Sequence, residues 1–364
     1  MPRIPGMQQP LHVRAVCLPD DAERDLYVAD GRLTFEPVTG AETIAAGGFA
    51  LPGLVDAHCH IGLDPGGPVT DLEVARKLAR TDRDAGVLTI RDAGSPLPYP
   101  ELDDDPEMPR LFRAGRHIAP PRRYLPGVAV ETTADGLAAT AAEQARAGNG
   151  WIKLVGDWID RETGDLGPTY DGESLAAAVT AAHAAGARVT VHTFSEAALP
   201  LLLAAGLDCI EHGTGLSLDL IDEMARRGTA LVPTMTNIET FDAIADRASK
   251  FPAYAAHMRA LKRRFPEVVR SAYEAGVPIY VGTDAGGGIA HGLAAEEMLR
   301  LHAAGLSTLD VLRAGSWGAR EWLGLPGLVE GAPADLVVYD RDPREDLTVL
   351  REPRRIVLRG RVVR

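Results

Sequence analysis

Eight short β-rich runs alternate along the chain with stretches of alanine and leucine at helical spacing, and this alternation constrains the fold more than any other feature. The runs lie at 51–60, 87–94, 111–118, 151–157, 188–194, 209–213, 230–235 and 278–286. Between them come helix-period segments at 137–147, 174–185, 196–205, 218–227 and 296–304, each followed by a glycine suited to a left-handed C-cap. A strand, helix, glycine, strand cycle implies parallel pairing through right-handed crossovers. Eight such cycles predict an α/β fold of the (β/α)₈ TIM-barrel type over residues 51–327.

The two ends read differently. Residues 11–50 hold short alternating runs around an Asp30-Gly31 turn, and "ADLVVYD" and "RRIVLRGRVV" close the chain. Their shared character predicts one small β-sandwich domain built from both termini, 1–50 plus 328–364, with the barrel inserted between. The segment 237–275 is too long for one connecting helix. Breaks at Phe251-Pro252 and Phe265-Pro266 predict about three helical pieces there, a lid-like insertion.

Composition narrows the function. The 364 residues are 46% hydrophobic and 24% charged, ordinary for a globular chain able to bury a large core. Acidic residues exceed basic ones, 51 against 38, and a net charge of -13 disfavours nucleic acid and anionic membrane surfaces. No stretch reaches the roughly 18 apolar residues of a membrane span, and Met1 to Pro10 lacks the apolar core of a signal peptide, so a cytoplasmic location is expected. Cys17, Cys59 and Cys209 are three distant thiols that suggest neither a disulfide framework nor a zinc knuckle. Oligomeric state carries no sequence signal, and a homo-oligomer stays open.

His58 and His60 occupy alternate positions of one strand, so both imidazoles leave the same face. By itself this is a weak metal signal. Lys153, His192, His212 and Asp284 strengthen it, because each falls within or at the end of a later run, and a barrel gathers its strand C-termini into one ring. Lys153 cannot ligate a cation as ammonium. As a neutral amine it can take up carbon dioxide, giving a carbamate whose two oxygens bridge two divalent ions; otherwise its head pairs with Asp157 or Asp284. Asp56 and Glu211 are candidates to fix imidazole tautomers. Glu211, preceding His212, is expected to face away from the ring, which favours Asp56. Cys59 reads as packing, and His12, His183, His257 and His302 as solvated or helix-end residues. His291, beyond the last run, is either a substrate contact or a solvated loop histidine, and Lys262-Arg263-Arg264 in the insertion reads as a solvated face.

The motifs "GLVDAHCHI" (53–61), "WIKLV" (151–155), "VTVHTF" (189–194), "CIEHG" (209–213) and "VGTDAG" (281–286), in that order, resemble those of the amidohydrolase superfamily of metal-dependent hydrolases. The terminal "GLVEGAPADLVVYD" (327–340) looks like that superfamily's closing β-segment, and "TDAGGGIAHG" is most similar to the branch of imidazolonepropionase-related and prolidase-like enzymes. The resemblance implies that His58, His60 and Asp284 hold the more buried of two divalent metal ions and His192 and His212 the more exposed one. Carbamylated Lys153 would bridge them. It also implies a hydroxide between the ions as nucleophile, Asp284 as proton carrier, and a small-molecule substrate cleaved at a C–N amide bond, as in a dipeptide or N-acyl amino acid. Zinc is the first expectation for the metal, with manganese, cobalt and iron also compatible. Lactone, carbamate or phosphotriester hydrolysis at the same centre, and a metal-free scaffold, are the competing readings. Where carboxypeptidase-like members carry a Gly-Gly-His run after the third strand, this chain has "APPRRYLPG" (119–127), leaving Arg122 or Arg123 as charge partner for a substrate carboxylate.

Overall fold

The structure, a computed structural model, describes residues 9–97, 99–103 and 105–364; most of the Met1 to Pro10 stretch lies outside them. Seven parallel strand positions run in order around a TIM-barrel-like core: Leu54–Cys59, Val87–Asp92, a third in two pieces, Trp151–Val155, Arg188–Thr193, Cys209–His212 and Ala230–Val232. The third position is expected as one strand over 111–118. It splits into Arg110–Arg113, paired with the second strand, and His117–Ala119, paired with the fourth, because Gly115 between them has a φ of 68°. The eighth run closes the ring through single bridges, Leu231 to Ile279 on one side and Cys59 to Ala285 on the other. Backbone bonds from Ala57 N to Val281 O and from Asp284 N to His58 O, both 2.7 Å, draw it against the first strand. That approach needs Gly282, since a Cβ there would lie 2.7 Å from the His58 Cβ.

The helices between strands follow the expected glycine punctuation in part, since Gly148 after Leu137–Ala147 is extended, with a φ of -85°, and not left-handed. Asp71 and Asp171 accept from backbone N–H groups at the starts of Leu72–Asp84 and Gly172–Ala184, while Gly206 and Gly228 end two others in the left-handed conformation. The insertion forms Met235–Ile238, Phe241–Arg247 and Pro252–Glu274. Pro252 occupies the first turn, where its missing N–H costs nothing. Pro266 does not break the chain as its sequence suggests: it sits inside the 23-residue helix. Met258, Leu261, Phe265, Val268, Val269 and Ala272 form one buried stripe through that point, and packing outweighs the lost hydrogen bond.

Both chain ends enter one seven-stranded sheet, in the order Arg361–Val362, Arg355–Leu358, Leu336–Tyr339, Glu42–Pro52, Leu11–Cys17, Ala22–Ala29, Arg32–Thr34. Its strands are hydrogen-bonded in one continuous order, and the edge strand Arg32–Thr34 bonds back to residues 331–333, just ahead of Leu336–Tyr339. Eleven-residue Glu42–Pro52 is long enough to pair in parallel with Leu11–Cys17 and, through its last four residues, antiparallel with Leu336–Tyr339. Leu11, Val13, Leu26, Val28, Leu336 and Val338 cluster into a small core distinct from that of the barrel. Among the described residues, no helix is long and apolar enough to cross a membrane.

Candidate metal centre

The C-terminal strand ends open into a cavity of about 790 Å³ whose wall includes His58, His60, Lys153, His192, His212 and Asp284. His58 Nε2 and His60 Nε2 lie 2.9 and 3.0 Å from the same Asp284 Oδ1 and 3.2 Å from each other. His192 Nδ1 and His212 Nε2 face each other at 3.0 Å. The six residues come from five strand positions and fall into a set of three, a pair, and Lys153. His212 and Asp284 have positive φ angles of 65° and 58°, which turn the backbone at the rim in a conformation non-glycine residues rarely hold without cause.

Protonation favours ligation. Burial pushes His58 and His212 well below the usual imidazole range and His192 down to about 3. Burial works against ionisation of Asp284, but the contact with His58 outweighs that and holds the carboxyl well below its ordinary value. His60 Nδ1 lies 2.7 Å from the Gly94 carbonyl oxygen, an acceptor, so a neutral His60 donates there and turns a bare Nε2 lone pair toward the Asp284 oxygen. Acceptor facing acceptor at 3.0 Å is repulsive until a cation lies between. His212 is fixed from behind in the same way, its Nδ1 2.6 Å from Thr234 Oγ1. This donor set fits divalent cations held by nitrogen and carboxylate oxygen.

Lys153 is buried, and burial lowers its amine to about 7. Its head contacts Glu211, neither Asp157 nor Asp284. Glu211 therefore faces into the barrel, contrary to the strand-alternation argument, because the positive φ of His212 breaks the alternation one residue later. Its Oε1 accepts from Arg91 at 2.9 Å and Thr190 at 2.8 Å, and its Oε2 lies 3.5 Å from His58 Nδ1. Asp56, expected to fix a tautomer, instead ties two strands: it accepts from the backbone N–H groups of His58 and Thr283 at 3.1 Å and from the Thr283 hydroxyl.

His291 does not line the cavity. Its side chain is 3% exposed, and its Nδ1 lies 2.7 Å from Asp82 Oδ2. The same carboxylate accepts from Gly292 N, so the loop after the last strand folds down onto helix Leu72–Asp84 and carries His291 with it. Burial alone would lower this imidazole, but Asp82 raises it above its ordinary value. Sequence reasoning passed over His117, whose ring centre lies 5.1 Å from His60 and 4.8 Å from Tyr124 and whose two nitrogens are buried without a hydrogen bond. Its place near the end of the third run was the available signal. Arg123 donates to the carbonyls of Trp158 and Gly167 at 3.1 Å, and neither it nor Arg122 reaches the cavity wall.

The model of the amidohydrolase family matches residues 49–363. An uncharacterised protein of Mycobacterium tuberculosis is 54% identical over 352 residues, 96% of this chain and 95% of its own. Ochratoxinase of Aspergillus niger is 26% identical over 220 residues, 58% of this chain and 45% of its own. Among solved structures, a Xaa-Pro dipeptidase with methionine bound in its active site superposes with a TM-score of 0.82 at 22% identity, covering 97% of this chain and 99% of the other.

Proposed function

The chain belongs to the amidohydrolase family and is a hydrolase acting on carbon–nitrogen bonds, and on that premise we propose that it cleaves an amide bond of a small molecule at a binuclear metal centre. The barrel of residues 51–327 is the catalytic unit in this reading, and the helices of 237–275 form its lid. The carrying observation is the convergence of the His58 and His60 nitrogens on one Asp284 oxygen. His58, His60 and Asp284 would hold one cation and His192 and His212 a second, zinc being the first candidate. Such ions polarise a scissile carbonyl and acidify water.

The protein's own groups do the rest. Burial lowers the Lys153 amine to about 7, which favours its neutral form. Its nitrogen could then attack carbon dioxide, forming an N–C bond and releasing one proton, and the resulting anionic carbamate would help hold the cations. Asp284 is held ionised, so it can accept a proton from the attacking water and pass it to the leaving nitrogen. The Asn237 side-chain amide donates to its other oxygen, and Thr240 hydrogen-bonds Asn237, which fixes the carboxylate orientation. Tyr124, Trp158 and Phe194 form an aromatic wall against the histidines that keeps bulk water away.

Zinc-loaded protein with bicarbonate, assayed against dipeptides, N-acyl amino acids, lactones and aryl carbamates, tests the reading. Amide turnover is expected, and Lys153→Ala should lower kcat by roughly 100-fold or more. Turnover confined to lactones, or unchanged in Lys153→Ala, would refute it.

A further inference from the structure

Outside the cation-binding residues, the cavity wall is largely aromatic and aliphatic, with Tyr124, Trp158, Ile159, Ile244, Phe251 and Tyr254 prominent. Among the described residues it carries one further charged side chain, Arg247. Arg247 is exposed and has no hydrogen bond or ion pair among the described residues. Three other cations of the surrounding loops and helices are engaged. Arg123 is tied to backbone carbonyls, Lys262 to Glu239 and Asp242, and Arg264 to Glu196 and the Thr214 carbonyl.

The fold sets where this cation stands. Arg247 ends helix Phe241–Arg247, and Phe241 at the other end packs 4.8 Å from Phe194, which lies 4.5 and 4.8 Å from the His192 and His212 rings. Seven helical residues span roughly 9 Å, so an apolar stretch separates the histidines from the free guanidinium. A volume of about 790 Å³ is that of a site for a sizeable ligand. The net charge of -13 repels anions, and an unpaired cation on the cavity wall reverses that locally.

We propose that Arg247 is the specificity-determining residue of this cavity and takes the carboxylate of a bulky apolar amide. This rests on the hydrolase reading above and adds to it the residue that selects within its substrates. A guanidinium offers a carboxylate two parallel donors, and Arg247 gives up no existing partner to do so.

The test compares N-benzoyl-phenylalanine with N-benzoyl-2-phenylethylamine, which differ only in the carboxylate, on zinc-loaded wild type, Arg247→Ala and Arg247→Lys. The uncleavable benzenesulfonyl counterparts are titrated calorimetrically in parallel. Wild type should favour the carboxylate compound by about five- to tenfold in KM and in Kd, Arg247→Lys should keep part of that ratio, and Arg247→Ala should abolish it with kcat on the neutral compound little changed. Equal KM and Kd for the two compounds, or a preference that survives Arg247→Ala, would overturn the proposal. A binding preference that depends on Arg247, without any turnover, would uphold this assignment and count against the hydrolase reading.

Discussion

Glu211 is the buried counter-charge of Arg91. Arg91 is fully buried, its guanidinium 4.7 Å from the Trp151 ring centre, and Glu211 accepts from it while also meeting Lys153. Glu211→Gln leaves a buried cation without its counter-charge, and we expect the folded state to lose roughly 3–5 kcal/mol, read from urea unfolding. A loss below about 1 kcal/mol would show that the Trp151 contact suffices for Arg91. Gly94 is a second sensitive position: its φ is 118°, and an added Cβ would lie 2.8 Å from His117 Nδ1. Gly94→Ala should therefore cost about 2–4 kcal/mol in the same assay, since strain and overpacking add. The convergence of the six candidate residues on one cavity was legible because each falls within or at the end of a predicted strand. Glu211 was misread because period-two alternation carries no information about a left-handed residue next door, and His291 because nothing in its spacing from Asp284 tells whether a loop rises over the mouth or folds down onto Asp82.

Helix Pro252–Glu274 is docked over the cavity by a titratable contact. His257 Nδ1 lies 2.9 Å from Asp165, in the hairpin strand Asp165–Pro168, and its Nε2 lies 2.8 Å from Glu196. Burial alone would lower this imidazole, but hydrogen bonds to the two carboxylates raise it above the ordinary value. A raised histidine contributes stability that is complete below the unfolded pKa, about 6.5, and lost as pH climbs through the folded one. His257→Gln should accordingly lower Tm by about 1–2 °C near pH 6, with the difference fading above neutrality. A difference that grows with pH would reverse the assignment. The helix was legible as helix, but its continuity was not. Phe265-Pro266 reads as a stop, and only the buried stripe on both sides of Pro266 explains why the chain passes through.

At the scale of the whole chain, His58 and Asp284 serve both the closure of the barrel and the proposed cation site, so metal binding is expected to stabilise the fold. Asp284 meets His58 through its side chain and also donates its backbone N–H to the His58 carbonyl, one of the ties between the eighth run and the first. Chelation should lower Tm, and restoring zinc should recover it. The stability at stake is about 4 kcal/mol per site held a thousandfold above its dissociation constant. The meeting of both chain ends in one sheet was foreseeable from their shared alternation, whereas its continuity depends on the length of Glu42–Pro52. The most direct measurement is metal content by plasma emission spectrometry on protein purified with zinc and bicarbonate. The account predicts two equivalents per wild-type chain, falling to one or fewer in His192→Ala/His212→Ala; no tightly held metal in folded wild type would contradict it.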